Sequence, residues 1–202
     1  SAEILSLQQE DSPLVATLGN MLILMVIMLA GMIISLAIVE EKKDKTISAI
    51  NVSPVSQTTF VIGKVIMGGV SALLIIIISL LILGMTDINW FMLLLVGISS
   101  MFLTFIVGFL QGLISNDVIE AAAGVKLILI PMAGSIAGYL LLSSKWQWTM
   151  YWSPFYWTYK ANDLILTQKG EWGTVLLSVA AVIAITFVVY LVAYPKIRKG
   201  LS

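Results

Sequence analysis

Five apolar stretches, each close to the length a helix needs to cross roughly 30 Å of hydrocarbon, fix what this chain can fold into. They cover residues 14–39, 60–83, 90–114, 125–142 and 172–194. In lipid, backbone amides must be bonded within their own segment. Each stretch is therefore read as a helix, and the β-branched run "LLIIIISLLIL" does not argue for a strand. The expected fold is all-α: a polytopic bundle of five transmembrane helices, one permease-sized domain over residues 1–202. A mean hydropathy of +1.03, with only 11% charged residues, agrees and leaves no room for a sizeable soluble domain. The lipid membrane is the first partner, and nucleic acid is not an expected one.

Orientation follows from where the basic residues collect, because Lys and Arg are retained on the cytoplasmic side. Lys42, Lys43, Lys45, Lys64, Lys126, Lys196, Arg198 and Lys199 fall on one side of the predicted bundle, and Lys145, Lys160 and Lys169 on the other. The reading is an integral protein of a bacterial or archaeal plasma membrane, with its C-terminus cytoplasmic and its N-terminus external. Residues 1–12 are acidic and lack the basic region and apolar core of a signal peptide.

That topology puts the most polar stretch, "EEKKDKTISAINVSPVSQ", in the cytoplasmic loop 40–57 between the first two spans. A solvated turn is the plain reading. The order of residues argues for more. Thr46 is placed to cap a short helix with Ile47 and Ile50 on one face, which would end near Ser53 and Pro54. A two-turn helix with one apolar face suits docking into a groove of another protein.

The run "EEKKDKTISAINVSPVSQTTFVIGKV" resembles the signature of the permease subunits of type-2 ABC (ATP-binding cassette) exporters. Glu41 matches the family's leading acid, Thr46 its threonine, Pro54 its proline, and Gly63 with Lys64 the start of the next helix. Lys43 and Lys45 depart from the pattern, standing where a second acid and a glycine are common. The resemblance implies that Glu41, Lys42, Thr46, Ile47, Ile50 and Pro54 form a coupling loop seated on a cassette ATPase subunit, which binds the ATP and magnesium. It also implies pairing with a second copy or a related permease. The family pattern has six spans starting inside, so its first helix is expected to be absent from this chain.

The residues give an independent check. Transporters that run on ion gradients display ionisable groups within their spans, and here Lys64, Asp87, Asp117, Glu120 and Lys126 all fall at ends or turns. No phosphate-binding G-x-x-x-x-G-K-[ST] is present, so the driving energy should come from a partner. Histidine and cysteine are absent, and no catalytic, cofactor-binding or metal residue is assigned. An intramembrane enzyme is therefore disfavoured, and a passive pore or scaffold would leave the loop without a purpose.

Two further features concern the path. The fourth span carries Pro131, Gly134 and Gly138, which bend a helix or admit a close neighbour; Gly108 and Gly112 repeat the spacing in the third. Ordinary packing within the chain is the favoured reading, a dimer-facing helix the other. In the outer segment 143–171, "WQWTMYWSPFYWTY" holds eight aromatics in fourteen residues. One reading is an interfacial belt. The density, broken at Ser153 and Pro154, also suggests one or two short helices lying in or dipping into the outer leaflet. The resemblance then makes Trp152, Pro154, Phe155, Tyr156 and Trp157 candidates for an outer gate. Nothing in the sequence chooses among drugs, lipids, lipid-linked glycans and amphipathic peptides as cargo.

Overall fold

The computed structural model describes residues 2–43, 57–124 and 126–200. Among these residues all regular structure is helical: α1 (Ala2–Lys43), α2 (Gln57–Ile82), α3 (Trp90–Ile114), α4 (Val118–Ala123), α5 (Lys126–Leu141), a 3₁₀ turn (Gln147–Met150), α6 (Pro154–Leu166) and α7 (Trp172–Gly200). The all-α expectation stands.

Four segments of these helices are long and apolar enough to cross a membrane: Leu14–Glu40, Trp90–Ile114, Val118–Leu141 and Trp172–Pro195. The expected span 60–83 lies in α2, whose apolar part among the described residues, Ile66–Ile82, is shorter. The expected span 125–142 contains α5, which at 16 residues reaches only about 24 Å by itself. Its apolar segment is completed by α4 on the other side of Gly124. The expected coupling helix, with Thr46, Ile47, Ile50 and Pro54, lies outside the described residues; Glu41 and Lys42 fall in the last turn of α1.

The bundle is organised on α1 and α3, the most extensively packed pair of helices. Their contact is possible because small residues meet at four-residue spacing. A Cβ at Gly108 would fall on the carbonyl oxygen of Gly31, and one at Gly112 would come within 2.8 Å of the Ser35 carbonyl oxygen. A Cβ at Gly31 would in turn lie 2.7 Å from the Thr104 carbonyl oxygen. The Gly108 and Gly112 pair is thus used for packing within the chain, the geometry by which small residues let membrane helices touch backbone to backbone. Around this seam lies the main core, with Ile23, Ile27, Ile34, Ile76, Val96, Met101 and Val175 all buried.

The ends of the bundle are set by local chemistry. Asn89 caps α3 by accepting from the Met92 amide at 3.1 Å. Asp117 caps α4 by accepting from the Glu120 amide at 2.7 Å, and the Glu120 carboxylate reaches back to the Asn116 amide at 2.7 Å. The Gln111 amide donates to Ser115 at 3.0 Å and lies over Gly124, tying the end of α3 to α4. At the other end the α2–α3 connection meets the α6–α7 connection, where Phe91 and Trp172 stack at 5.8 Å.

Candidate functional site

The aromatic segment does not lie flat on the bundle. Pro154 at the first turn, where its missing amide would have had no partner anyway, starts α6, and Ser153 stands at the N-cap. The helix stops in a Schellman arrangement: the Lys169 amide donates to the Leu164 carbonyl at 2.8 Å and the Gln168 amide to Ile165 at 3.1 Å. Gln168 takes the left-handed conformation there, φ 58°, a position glycine usually fills. Between these ends Phe155, Tyr156, Thr158, Tyr159, Ala161, Asn162, Ile165 and Leu166 are all buried. A helix buried this widely is a plug. It contacts α1, α3, α5 and α7 at one end of the bundle.

Apolar packing and polar bonds both hold it. Phe155 and Tyr159 form a second core with Leu24 of α1, Leu103 of α3 and Ile128 and Met132 of α5. Three of the four neighbours also supply hydrogen bonds. The Asn20 amide of α1 donates to the Tyr159 carbonyl at 2.8 Å, and Ser100 of α3 shares a 2.7 Å bond with Thr158. From α5, Ser135 shares a 2.6 Å hydroxyl–hydroxyl bond with Ser153, and the Tyr139 hydroxyl donates to the Asp163 carboxylate at 2.9 Å. Such bonds between membrane helices contribute only about 0.6 kcal/mol each, so they orient the plug more than they anchor it. A double-mutant cycle of Ser100→Ala and Thr158→Val is expected to give a coupling energy of about 0.6 kcal/mol in thermal unfolding of the detergent-solubilised protein.

The aromatic residues divide by role. Tyr156 donates to Gln147 at 2.9 Å and meets Trp157 edge-on at 5.6 Å, while Tyr151 stacks on both. Trp157 donates to the Tyr151 carbonyl and carries the Lys160 ammonium 5.5 Å from its ring. By contrast Trp146, Trp148 and Trp152 are 60–66% exposed, the disposition of interfacial rings. Of the sequence candidates, Pro154, Phe155 and Tyr156 are brought together in the plug, Trp157 sits half-buried at its edge, and Trp152 faces outward.

Burial pushes the Tyr156 phenol up to about 12, and Tyr151 beside it adds to the shift. Tyr159 is also raised, by burial and then by the Asp163 charge, against a lowering contact with Thr17. A raised phenol stabilises the fold fully below its unfolded pKa and loses that contribution as pH rises. The melting temperature is therefore expected to show no tyrosine titration below about pH 10 and to fall from there to about pH 12, with Tyr156→Phe removing part of that fall.

Pro131, Gly134 and Gly138 do not act together. Pro131 lies inside α5 and its carbonyl accepts from Ser135 at 2.6 Å. A Cβ at Gly138 would meet Met150 of the 3₁₀ turn at 2.6 Å, whereas nothing lies within 4 Å of one at Gly134. Sequence reasoning missed the polar residues that orient the plug: Asn20 of α1 and Ser100 of α3, and Thr158 and Asp163 on the plug itself. Asn20 and Ser100 were legible as polar residues inside apolar runs, but their shared target was not.

A second feature is an apolar groove of about 500 Å³ between α1 and α2, floored by Ala30, Ala37, Gly68 and Ala72 and walled by Ile33, Met67 and Ile75. Ser71 in this groove bonds the Met67 carbonyl at 2.8 Å. Among the described residues no cluster of acidic side chains is arranged to hold a metal ion.

Residues 7–192 match the family model described as "Fluoroquinolones export permease protein Rv2686c-like". No curated protein and no solved structure matches the chain.

Proposed function

The chain belongs to the Rv2686c-like family of export permeases, membrane-spanning ABC-type subunits of the exporter class, and from that premise we propose an ATP-driven drug exporter whose outer gate is α6. The cargo by this reading is a fluoroquinolone, the compound class in the family's description. Its planar aromatic body suits the apolar α1–α2 groove, with a floor of small side chains and walls of Met67 and Ile33.

In the proposed mechanism, cassette ATPase subunits bind ATP and magnesium and dock on the loop 40–57. A second copy of the permease, or a related one, completes the path. Closure of the ATPases drives the inner end of α1 and rearranges the two membrane halves. At the outer end, α6 undocks from α1, α3 and α5 and releases the cargo.

The observation that carries this reading is the way α6 is held: a buried helix that spans nothing, closed into one end of the bundle by weak, exchangeable bonds. A helix needed only for stability would gain more from an all-apolar face.

The test is ATP-dependent movement of a fluorescent fluoroquinolone into inverted vesicles containing the permease with its ATPase. Uptake that needs both subunits and ATP supports the proposal; uptake indifferent to ATP would return the chain to the class of passive pores. Labelling fixes the orientation: Lys160 is expected to react from outside and Lys45 from the cytoplasm, and the reverse pattern would invert the gate.

A further inference from the structure

The groove between α1 and α2 opens sideways, toward the hydrocarbon. Its rim residues stay exposed, Ile33 at 62% and Met67 at 76%, over a floor of small side chains. Among the described residues nothing lies within 4 Å of a Cβ built at Gly68, so the floor there is bare. The lining is apolar except for Ser71, and that hydroxyl is spent on the Met67 carbonyl of its own helix. On α1 the groove runs from Val26 to Ala37, about 16 Å along the axis. It thus occupies the half of the apolar segment Leu14–Glu40 that adjoins Glu40, close to the depth of one leaflet, about 15 Å. Both helices carry charges just beyond that end: Glu40, Glu41, Lys42 and Lys43 close α1, and Lys64 lies one turn before Gly68 on α2.

These dimensions choose the occupant. About 500 Å³ spread over about 16 Å leaves a cross-section of about 30 Å², whereas a helix about 10 Å across needs about 80 Å². A helix of a second copy does not enter it. A cavity of about 150 Å³ takes one benzene, six carbons, so by the same measure this groove takes about 18 to 20 carbons. That is the size of one membrane acyl chain. Lipid tails are as apolar as leucine, so no hydrophobic force selects such a chain from the bilayer. Close packing does: a chain lying in the groove touches its floor and both walls, and an unfilled groove forfeits those contacts.

We propose that the α1–α2 groove is a phospholipid site, with one acyl chain lying along Ala30, Ala37, Gly68 and Ala72 and the headgroup level with the charged ends of α1 and α2. The site goes beyond the export reading and does not rest on it. Under that reading, cargo entering the groove displaces the chain.

The test uses the permease in its own membrane. The membranes are loaded with a phosphatidylethanolamine carrying a diazirine in its acyl chain, irradiated, and the labelled residues are mapped. Labelling is expected to favour Ile33 and Met67 over Leu177 and Val192, which are equally open on α7 at 60% and 76% exposure. Native mass spectrometry after mild detergent extraction is expected to find one phospholipid retained per chain. Gly68→Phe lays a ring over the bare floor, and is expected to lose both signals while the melting temperature stays at the parent's. Equal labelling of the two faces overturns the proposal, as does a free fatty acid or a second permease copy found in place of the phospholipid. Retention unchanged in a folded Gly68→Phe overturns it too; if that variant does not fold, the labelling of the parent chain decides alone. None of these readouts involves ATP or drug, so their failure leaves the export reading untouched.

Discussion

Replacing Gly108 with leucine is expected to leave no folded permease in the membrane. A Cβ at that position already falls on the Gly31 carbonyl oxygen, which belongs to the backbone of α1 and cannot rotate away as a side chain would. Overpacking in a deformable core costs about 1–3 kcal/mol. At Gly108 the strain falls on the most extensive helix contact of the bundle, so relief requires α1 and α3 to part. The readout is the monodisperse fraction of a fluorescent fusion after mild detergent extraction. Gly134→Leu is the matched control: nothing lies within 4 Å of its added Cβ, and normal accumulation is expected. Equal yields from the two variants would count against the α1–α3 seam.

That pair of glycines also marks how far the sequence could be read. The apolar runs gave away their helices because a bilayer imposes a length and forbids an unbonded backbone. Gly108 and Gly112 announced a close approach by spacing, but their partners, Gly31 and Ser35, stand more than seventy residues away and carry no signal of their own. The aromatic segment stood out as a separate unit. Its burial did not, because a ring that faces lipid and a ring that faces core are equally apolar; Trp152 and Tyr156 look alike until the fold sorts them. Asp163 was overlooked since it lies in the connection between two spans, and only the turn of α6 delivers its carboxylate to Tyr139. The loop signature was the most specific motif in the chain, and residues 44–56 that carry most of it lie outside the described structure.

The second large effect is expected in that loop. Thr46→Asp with Ile50→Asp is predicted to abolish coupled transport while the permease still folds. By the proposed role, Ile50 enters an apolar groove of the ATPase, and a carboxylate there is desolvated without a partner. At about 2 kcal/mol or more per buried charge, each substitution lowers docking affinity by a factor of about 30. The permease should then purify without its ATPase, or with one that hydrolyses ATP and moves no drug. Melting of the permease itself should be unchanged, which separates this outcome from that of Gly108→Leu. Coupled transport at the parent rate would remove the loop from the mechanism.

One helix joins these two regions. α1 runs unbroken for 42 residues, about 63 Å, roughly twice the thickness of the hydrocarbon it crosses. It ends where the loop begins, and Asn20, some 35 Å from Lys43, grips the plug. No proline interrupts it between those points. It is in effect a lever with the Gly31 contact as its fulcrum. Pivoting by about 10° would carry Asn20 and Lys43 about 3 Å each in opposite directions, enough to break the 2.8 Å bond between Asn20 and the plug. By the proposed mechanism, force applied at the inner end needs no relay of side chains to reach the gate; the stiffness of a single rod would deliver it.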